Sequence, residues 1–191
     1  MMKVEHAPPA FLLRRCAPVD AADLVTLGAR LFMQAYGAAH PEPDVRAHVT
    51  LTFDRERLAA ELATPEVSVF LAEDADRAPL GYAYLRESGA TAPAGVHGKK
   101  MFEIVRFYVD TAWHGRGVAG VLMAACVREA CGRGGDTLWL DVWQEAARPI
   151  AFYRRQGFDV VGTVPFAIGG RTDTDYIMVR RLGVQGGAGN P

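Results

Sequence analysis

MFEIVRFYVDTAWHGRGVAG, running from Met101 to Gly120, is the stretch on which the reading of the whole chain turns. Its first half alternates and is rich in β-branched and aromatic residues. Its second half crowds glycines ahead of an apolar helical pattern, which predicts strand, short loop and helix in succession. Such a junction suits an anion. The glycines let backbone N–H groups turn inward with no Cβ in the way, and the following helix adds unpaired amides and a partial positive charge. Phosphate is the expected guest.

Gly115, Gly117 and Gly120 spell G-x-G-x-x-G, the dinucleotide fingerprint, but the context argues against it. A dinucleotide fold leaves an apolar, doubly buried first strand almost directly into the first glycine. Here Asp110 to His114 intervene, and the strand carries Glu103 and Arg106. A P-loop fails as well, because no Gly-Lys-Ser/Thr follows.

The run His114-Gly115-Arg116-Gly117-Val118-Ala119 resembles the Q/R-x-x-G-x-G/A signature of the GNAT superfamily of N-acetyltransferases. His114 replaces the usual Gln or Arg. A second block supports the resemblance: LDVW at 140–143, then Pro149 to Tyr153, then Gly157-Phe158, similar to the family's L-x-V-W…A-I-x-F-Y-x-x-x-G-F. Ala146 stands where Asn is common and Pro149 where Ala is. The family resemblance implies an α/β fold: a mixed, mostly antiparallel sheet of about seven strands, flanked by about four helices, with a splayed strand pair at the cofactor site. It also implies acetyl-CoA as co-substrate, its pyrophosphate on the amides of Gly115, Arg116, Gly117, Val118, Ala119 and Gly120. The backbone of Phe107, Tyr108 and Val109 would meet the pantetheine arm, and Ala146 would lie beside it without the family's Asn contact.

With 191 residues the chain fits one domain, taken as 1–182, followed by a glycine-rich tail over 183–191 that is expected to be disordered; residues 1–10 read as a loose leader. Formal net charge is -1, from 21 Lys and Arg against 22 Asp and Glu. That balance offers no global attraction to nucleic acid or anionic membrane. No apolar run is long enough for a membrane span and no signal peptide is visible, so a cytoplasmic protein, monomer or homodimer, is expected. Cys16, Cys126 and Cys131 lack metal-ligand spacing and read as reduced thiols, with no metal site.

The remaining elements follow from pattern. Phe11 to Arg15 reads as a strand, and Asp20 as the N-cap of a helix that ends near Gly37 and carries Leu24, Leu27, Leu31 and Phe32 on one face. Residues 44–53 are compatible with helix, and Asp54 caps DRERLAAEL. A hairpin is expected over 67–85, a buried strand over 137–143, a helix from Pro149, and two strands around Gly169-Gly170.

Acetylating an amine sets two unequal demands. An alkyl ammonium near pKa 10.4 loses its proton at pH 7 at a cost of about 4.6 kcal/mol, whereas a thiolate near 8.5 needs only about 2 kcal/mol of help. Glu103 is the candidate base, since the family's histone-acetylating branch carries a similar Glu-Ile-Val; strand alternation would give it a face shared with Val105, Phe107 and Val109. It reads equally as a solvent-facing carboxylate paired with an arginine. By resemblance the Tyr153 hydroxyl lies beside the thioester as proton donor to sulfur, the alternative being a packed helix aromatic. Arg116 either meets a phosphate or points to water. Phe32 and Tyr36 would form the acceptor wall. The implied activity is acetyl transfer to a primary amine of a small molecule by direct attack in a ternary complex. A peptide or protein amine, and a noncatalytic acyl-CoA sensor, remain open; a nicotinamide enzyme has only the three-glycine spelling behind it.

Overall fold

The computed structural model describes residues 11–89 and 92–183; the expected leader and, Gly183 apart, the expected tail lie outside them. Seven strands form one sheet: β1 (Phe11–Arg15), β2 (Val67–Asp74), β3 (Pro79–Ser88), β4 (Met101–Val109), β5 (Thr137–Trp143), β6 (Asp159–Ile168) and β7 (Arg171–Arg181). Their spatial order is β1-β2-β3-β4-β5-β7-β6, and every neighbouring pair is antiparallel except β4 and β5. The parallel pair is the one joined through α4 (Val118–Gly132), as a strand-helix-strand crossover requires. The other helices are α1 (Ala21–Tyr36), α2 (Glu42–Thr52), α3 (Arg55–Leu62) and α5 (Ala147–Arg155). Five α-helices therefore stand where about four were expected.

Local chemistry explains the ends of these elements. Asp54 caps α3 by accepting the Arg57 amide at 2.7 Å. Asp20 precedes α1 but does not cap it. Its carboxylate accepts the Ala17 amide at 2.7 Å and the Arg14 guanidinium at 2.9 Å, closing the short 3₁₀ turn Pro18–Asp20 instead.

The sheet is covered on both faces. On one, α4 buries Val118, Leu122, Met123 and Cys126 against Phe102, Ile104, Leu138 and Leu140. On the other, α1 and α3 lay Leu24, Leu27, Leu31 and Leu58 against Val69, Leu71, Tyr82 and Tyr84. A smaller cluster of Phe32, Val45, Phe53 and Ile168 ties α1 and α2 to the end of β6.

Two irregularities set the course of β4. First, Tyr84 pairs with Arg106 but Leu85 pairs with Ile104, so Val105 is bulged out of the ladder. One extra residue reverses the alternation beyond it. Phe107 and Val109 consequently pack with Phe102 and Ile104 on the α4 side, while Val105 and Tyr108 turn to the α1 side. The face that simple alternation gives Glu103, together with Phe107 and Val109, is thereby corrected: Glu103 shares the α1 side with Val105 and Tyr108. Second, β4 pairs with β5 only from Met101↔Thr137 to Glu103↔Trp139. Beyond that point β5 keeps its partner β7 as far as Trp143↔Asp175, and β4 diverges. The expected splayed pair is here.

Candidate active site

The gap between the diverging strands opens into a cleft of about 630 Å³. The Asp110 amide bonds to the Leu80 carbonyl on the β3 side, so by alternation the main-chain groups of Phe107 and Val109 face the gap. One of them is already used: the His114 ring nitrogen Nε2 lies 2.9 Å from the Val109 carbonyl oxygen and holds the turn after β4 against the strand. From sequence alone His114 reads either as a lone surface residue or as a cap or phosphate contact, the first favoured.

That turn ends in Gly115 and Gly117, both with positive φ, +78° and +88°. An L side chain is strained in that conformation, so glycine is required for backbone reasons alone. Gly117 is the N-cap of α4. The Val121 amide is the first of the helix to find a carbonyl, that of Gly117 at 3.1 Å, which leaves the amides of Val118, Ala119 and Gly120 without helical partners. A Cβ built at Gly115, Gly117 or Gly120 meets nothing within 4 Å. Open space lies in front of the free amides, an arrangement that fits a diphosphate. Arg116 does not extend into that space but lies over the Trp113 ring, 5.2 Å from its centre.

Eight of the residues singled out in the sequence line the cleft together: Phe32, Tyr36, Glu103, Phe107, Tyr108, Val109, Ala146 and Tyr153. The glycine turn stands beyond this lining, next to His114. Tyr153 is buried at the start of the divergence, edge-on to Phe107 at 6.0 Å, while Phe152 stacks on Phe107 at 5.7 Å. Burial pushes the Tyr153 phenol well above its ordinary value, so the group remains an O–H donor at neutral pH. Tyr36 is stacked on Phe32 at 4.5 Å and sits among His40, Trp143 and Phe166. Burial raises its phenol too.

Glu103 reaches the cleft wall with a partner. Arg86, opposite it on β3, donates to its carboxylate at 2.6 Å, and the Glu103 side chain is 12% exposed. The same wall carries two acids that sequence reading passed over. Register explains the grouping: Glu103 pairs with Trp139, and Asp141 and Trp143 follow it at two-residue steps on one face of β5, with Asp175 opposite Trp143. Asp141 and Asp175 are diagonal neighbours across an antiparallel pair, about 7 Å apart in such a ladder. Asp175 is 3% exposed, and its Oδ1 is buried with no hydrogen-bond partner among the described residues. Burial foremost, then the charges of Asp141 and Asp173, push its carboxyl up to about 7. Asp141 is exposed on the open side of the cleft; partial desolvation by the cleft walls, then the charge of Glu103, raise its carboxyl as well. The one signal in the sequence was an acid at an inward position of TDTDYIMV, visible only once register is known.

Among the described residues no three His, Cys, Asp or Glu side chains group closely enough to hold a metal. Nor is any helix long and apolar enough to cross a membrane. The three cysteines are free.

Comparison with known proteins agrees with this geometry. The model of the acetyltransferase (GNAT) family matches residues 29–158, more than half of the chain. An uncharacterized N-acetyltransferase of Mycobacterium tuberculosis is 30% identical over 163 residues, covering 85% of this chain and 98% of the relative. Among solved structures, the PaiA N-acetyltransferase of Thermoplasma acidophilum in complex with coenzyme A superposes with a TM-score of 0.73 at 18% identity, over 90% of this chain and 98% of the other. Arabidopsis thaliana NAA60 with a bisubstrate analogue gives 0.68 at 16% identity, over 90% and 97%. With its parallel β4–β5 pair parted over a cleft, its glycine turn opening α4, and this match in sequence, the chain belongs to the GNAT family of acetyltransferases.

Proposed function

We propose that the chain acetylates a primary amine of a small molecule, the amine attacking acetyl-CoA directly while both are bound. Acetyl-CoA supplies an acyl carbon already activated as a thioester. The protein's tasks are to hold it, to exclude water and to move protons. The amides of the Gly115–Gly120 turn take the diphosphate, foremost those of Val118, Ala119 and Gly120, since the Arg116 amide already donates to the Trp113 carbonyl at 3.3 Å, with the Arg116 side chain at the rim. The backbone of Phe107 and Val109, next to Tyr108, takes the pantetheine arm as an added strand, and Ala146 contributes its surface alone. Tyr153 donates its hydroxyl proton to the departing sulfur. Phe32 and Tyr36 wall the acceptor. Glu103 belongs to the acidic side of the cleft toward which the amine's proton leaves, its charge shared with Arg86.

The observation that carries this reading is the cleft itself. It begins where β4 and β5 part and ends against rings from α1, α2 and β6, namely Tyr36, His48 and Phe166. A chamber walled by aromatic rings suits a small acceptor with an apolar body better than an extended chain. One observation favours a peptide amine instead, the acidity contributed by Glu103, Asp141 and Asp175.

Thiol release measured against a panel of small amines and of peptides with free N-termini separates the two. Small amines are expected to be the better substrates, with initial-rate lines that intersect as a ternary complex requires. Parallel lines argue against direct attack. Binding of acetyl-CoA with no thiol release from any amine refutes the catalytic reading and leaves a sensor.

A further inference from the structure

Asp175 is the most unusual side chain in the cleft. It is 3% exposed, lines the chamber from β7 and buries an Oδ1 with no hydrogen-bond partner among the described residues, a state proteins seldom keep without use. The charged groups around it fall into three sets. Two nearby acids are already matched: Asp173, two positions back on β7, by the His40 ring at 2.5 Å, and Glu103 on β4 by Arg86 at 2.6 Å. The cations are occupied or distant: Arg106 lies over the rings of Phe53 and Tyr84, and Arg148 of α5 is exposed at the cleft edge. Burial lowers His48 of α2, and burial raises the phenols of Tyr36, Tyr108 and Tyr153, so these groups are neutral at pH 7. Asp141 and Asp175 therefore face aromatic rings with no ion pair of their own among the described residues.

We infer that Asp141 and Asp175 form the seat of the acceptor's ammonium group and that Asp175 takes the proton the amine must lose. The acceptor class follows: a cationic primary amine with an apolar or flat body and no carboxylate beside the nitrogen. This deepens the acetyl-transfer reading and rests on it. The ammonium passes one proton to Asp175, and the freed lone pair attacks the acetyl carbonyl carbon. The carbon–sulfur bond breaks with its electron pair on sulfur. The second nitrogen proton is lost as the amide forms, and sulfur gains one through Tyr153. Asp175 then returns its proton to water, for a net yield of one amide, one thiol and one proton. A carboxyl near 7 lies about three pH units below an alkyl ammonium, against about six for an ordinary glutamate, so transfer to it is much less uphill. A carboxylate next to the acceptor nitrogen would be repelled by the same acids.

The test compares phenethylamine with phenylalanine, one body with and without the carboxylate. Thiol release is followed from pH 5.5 to 9 for the parent, D175N, D141N and E103Q, with coenzyme A affinity measured by calorimetry in each. In the parent, kcat/KM for phenethylamine is expected to rise with its midpoint near pH 7 to a plateau above about pH 8 and to exceed that for phenylalanine at least tenfold. D175N is expected to lose about a hundredfold and the rising limb with it, at unchanged coenzyme A affinity. D141N keeps the limb but moves it to lower pH, since a neighbouring negative charge is gone; E103Q leaves it in place. If D175N does not fold, the D141N displacement decides. The inference is overturned if D175N keeps the limb and its rate, if E103Q abolishes the limb, if D141N leaves it unmoved, or if phenylalanine serves equally well. It is overturned too if other amines react and phenethylamine does not. A parent that acetylates no amine at all refutes the underlying acetyl-transfer reading as well, an outcome distinct from each of these.

Discussion

Gly120→Ala separates the needs of the fold from those of the ligand. Gly120 is the third residue of α4, and a Cβ there meets nothing within 4 Å. Its φ lies outside the left-handed region, unlike those of Gly115 and Gly117, so alanine fits the backbone without strain. Glycine inside a helix costs roughly 0.5–1 kcal/mol relative to alanine, and the substitution therefore stabilises the free protein by about that much. In a domain of this size that raises Tm by roughly 1–4 °C. The methyl group, however, adds bulk one and two residues from the free amides of Val118 and Ala119, where the proposed reading puts the diphosphate. Displacing an anion from one charge-assisted hydrogen bond costs about 1.5–3 kcal/mol, which weakens coenzyme A binding by roughly tenfold to a hundredfold. The two assays thus move in opposite directions: thermal unfolding without ligand rises, and calorimetric affinity for coenzyme A falls. A variant that is stabilised and binds coenzyme A as tightly as the parent refutes the placement of the diphosphate at this turn.

Tyr153→Phe is expected to lower the turnover number while leaving coenzyme A affinity within about twofold, because only the hydroxyl is removed and the ring packing on Phe107 and Phe158 is kept; an unchanged turnover number removes the residue from proton transfer. Leu122→Ala, at a site with no exposure between α4 and the sheet, should cost about 2–5 kcal/mol in urea denaturation without altering the cleft. Asp175→Asn should stabilise the protein at pH 8. The folded carboxyl titrates near 7 and the unfolded one near 3.9, so the folded state binds more protons between those values and parent stability falls as pH rises through 7, by up to about 4 kcal/mol. Asp20, Asp110 and Asp136, all lowered by their partners, contribute above about pH 4 and are constant across that window, while burial of His48 acts in the opposite sense below about 6.5. The diagnostic comparison is therefore variant against parent at pH 8, and equal stability there argues against a raised Asp175.

Most of the fold was legible because its signals are local. Alternation in FEIVRFYV, the glycines ahead of Val118 and the aspartate ahead of Arg55 each determine a conformation within one or two turns of chain, and β4, α4 and α3 form there. Asp20 misled for a local reason as well. It occupies the capping position, but Arg14 on the preceding strand and the Ala17 amide bind its carboxylate first. A side chain with two available partners is not assigned by spacing alone.

The site was legible in proportion to how far each residue depends on long-range register. The glycine turn could be read directly, because positive φ and free amides are properties of a few consecutive residues. Tyr153, Phe32 and Tyr36 entered through resemblance and do reach the cleft. Phe107 and Val109 were grouped with Glu103 and Val105 because alternation assumes an unbroken ladder, and the bulge at Val105 arises from pairing with β3, more than fifteen residues away. Asp175 lay further out of reach. Its position opposite Trp143 depends on β7 inserting between β5 and β6, and its burial on α1 and α2 covering that same face of the sheet. A carboxyl acquires an altered proton affinity from the groups the whole fold brings to it, and for Asp175 these are the packing that buries it and the charges of Asp141 on β5 and Asp173 on β7.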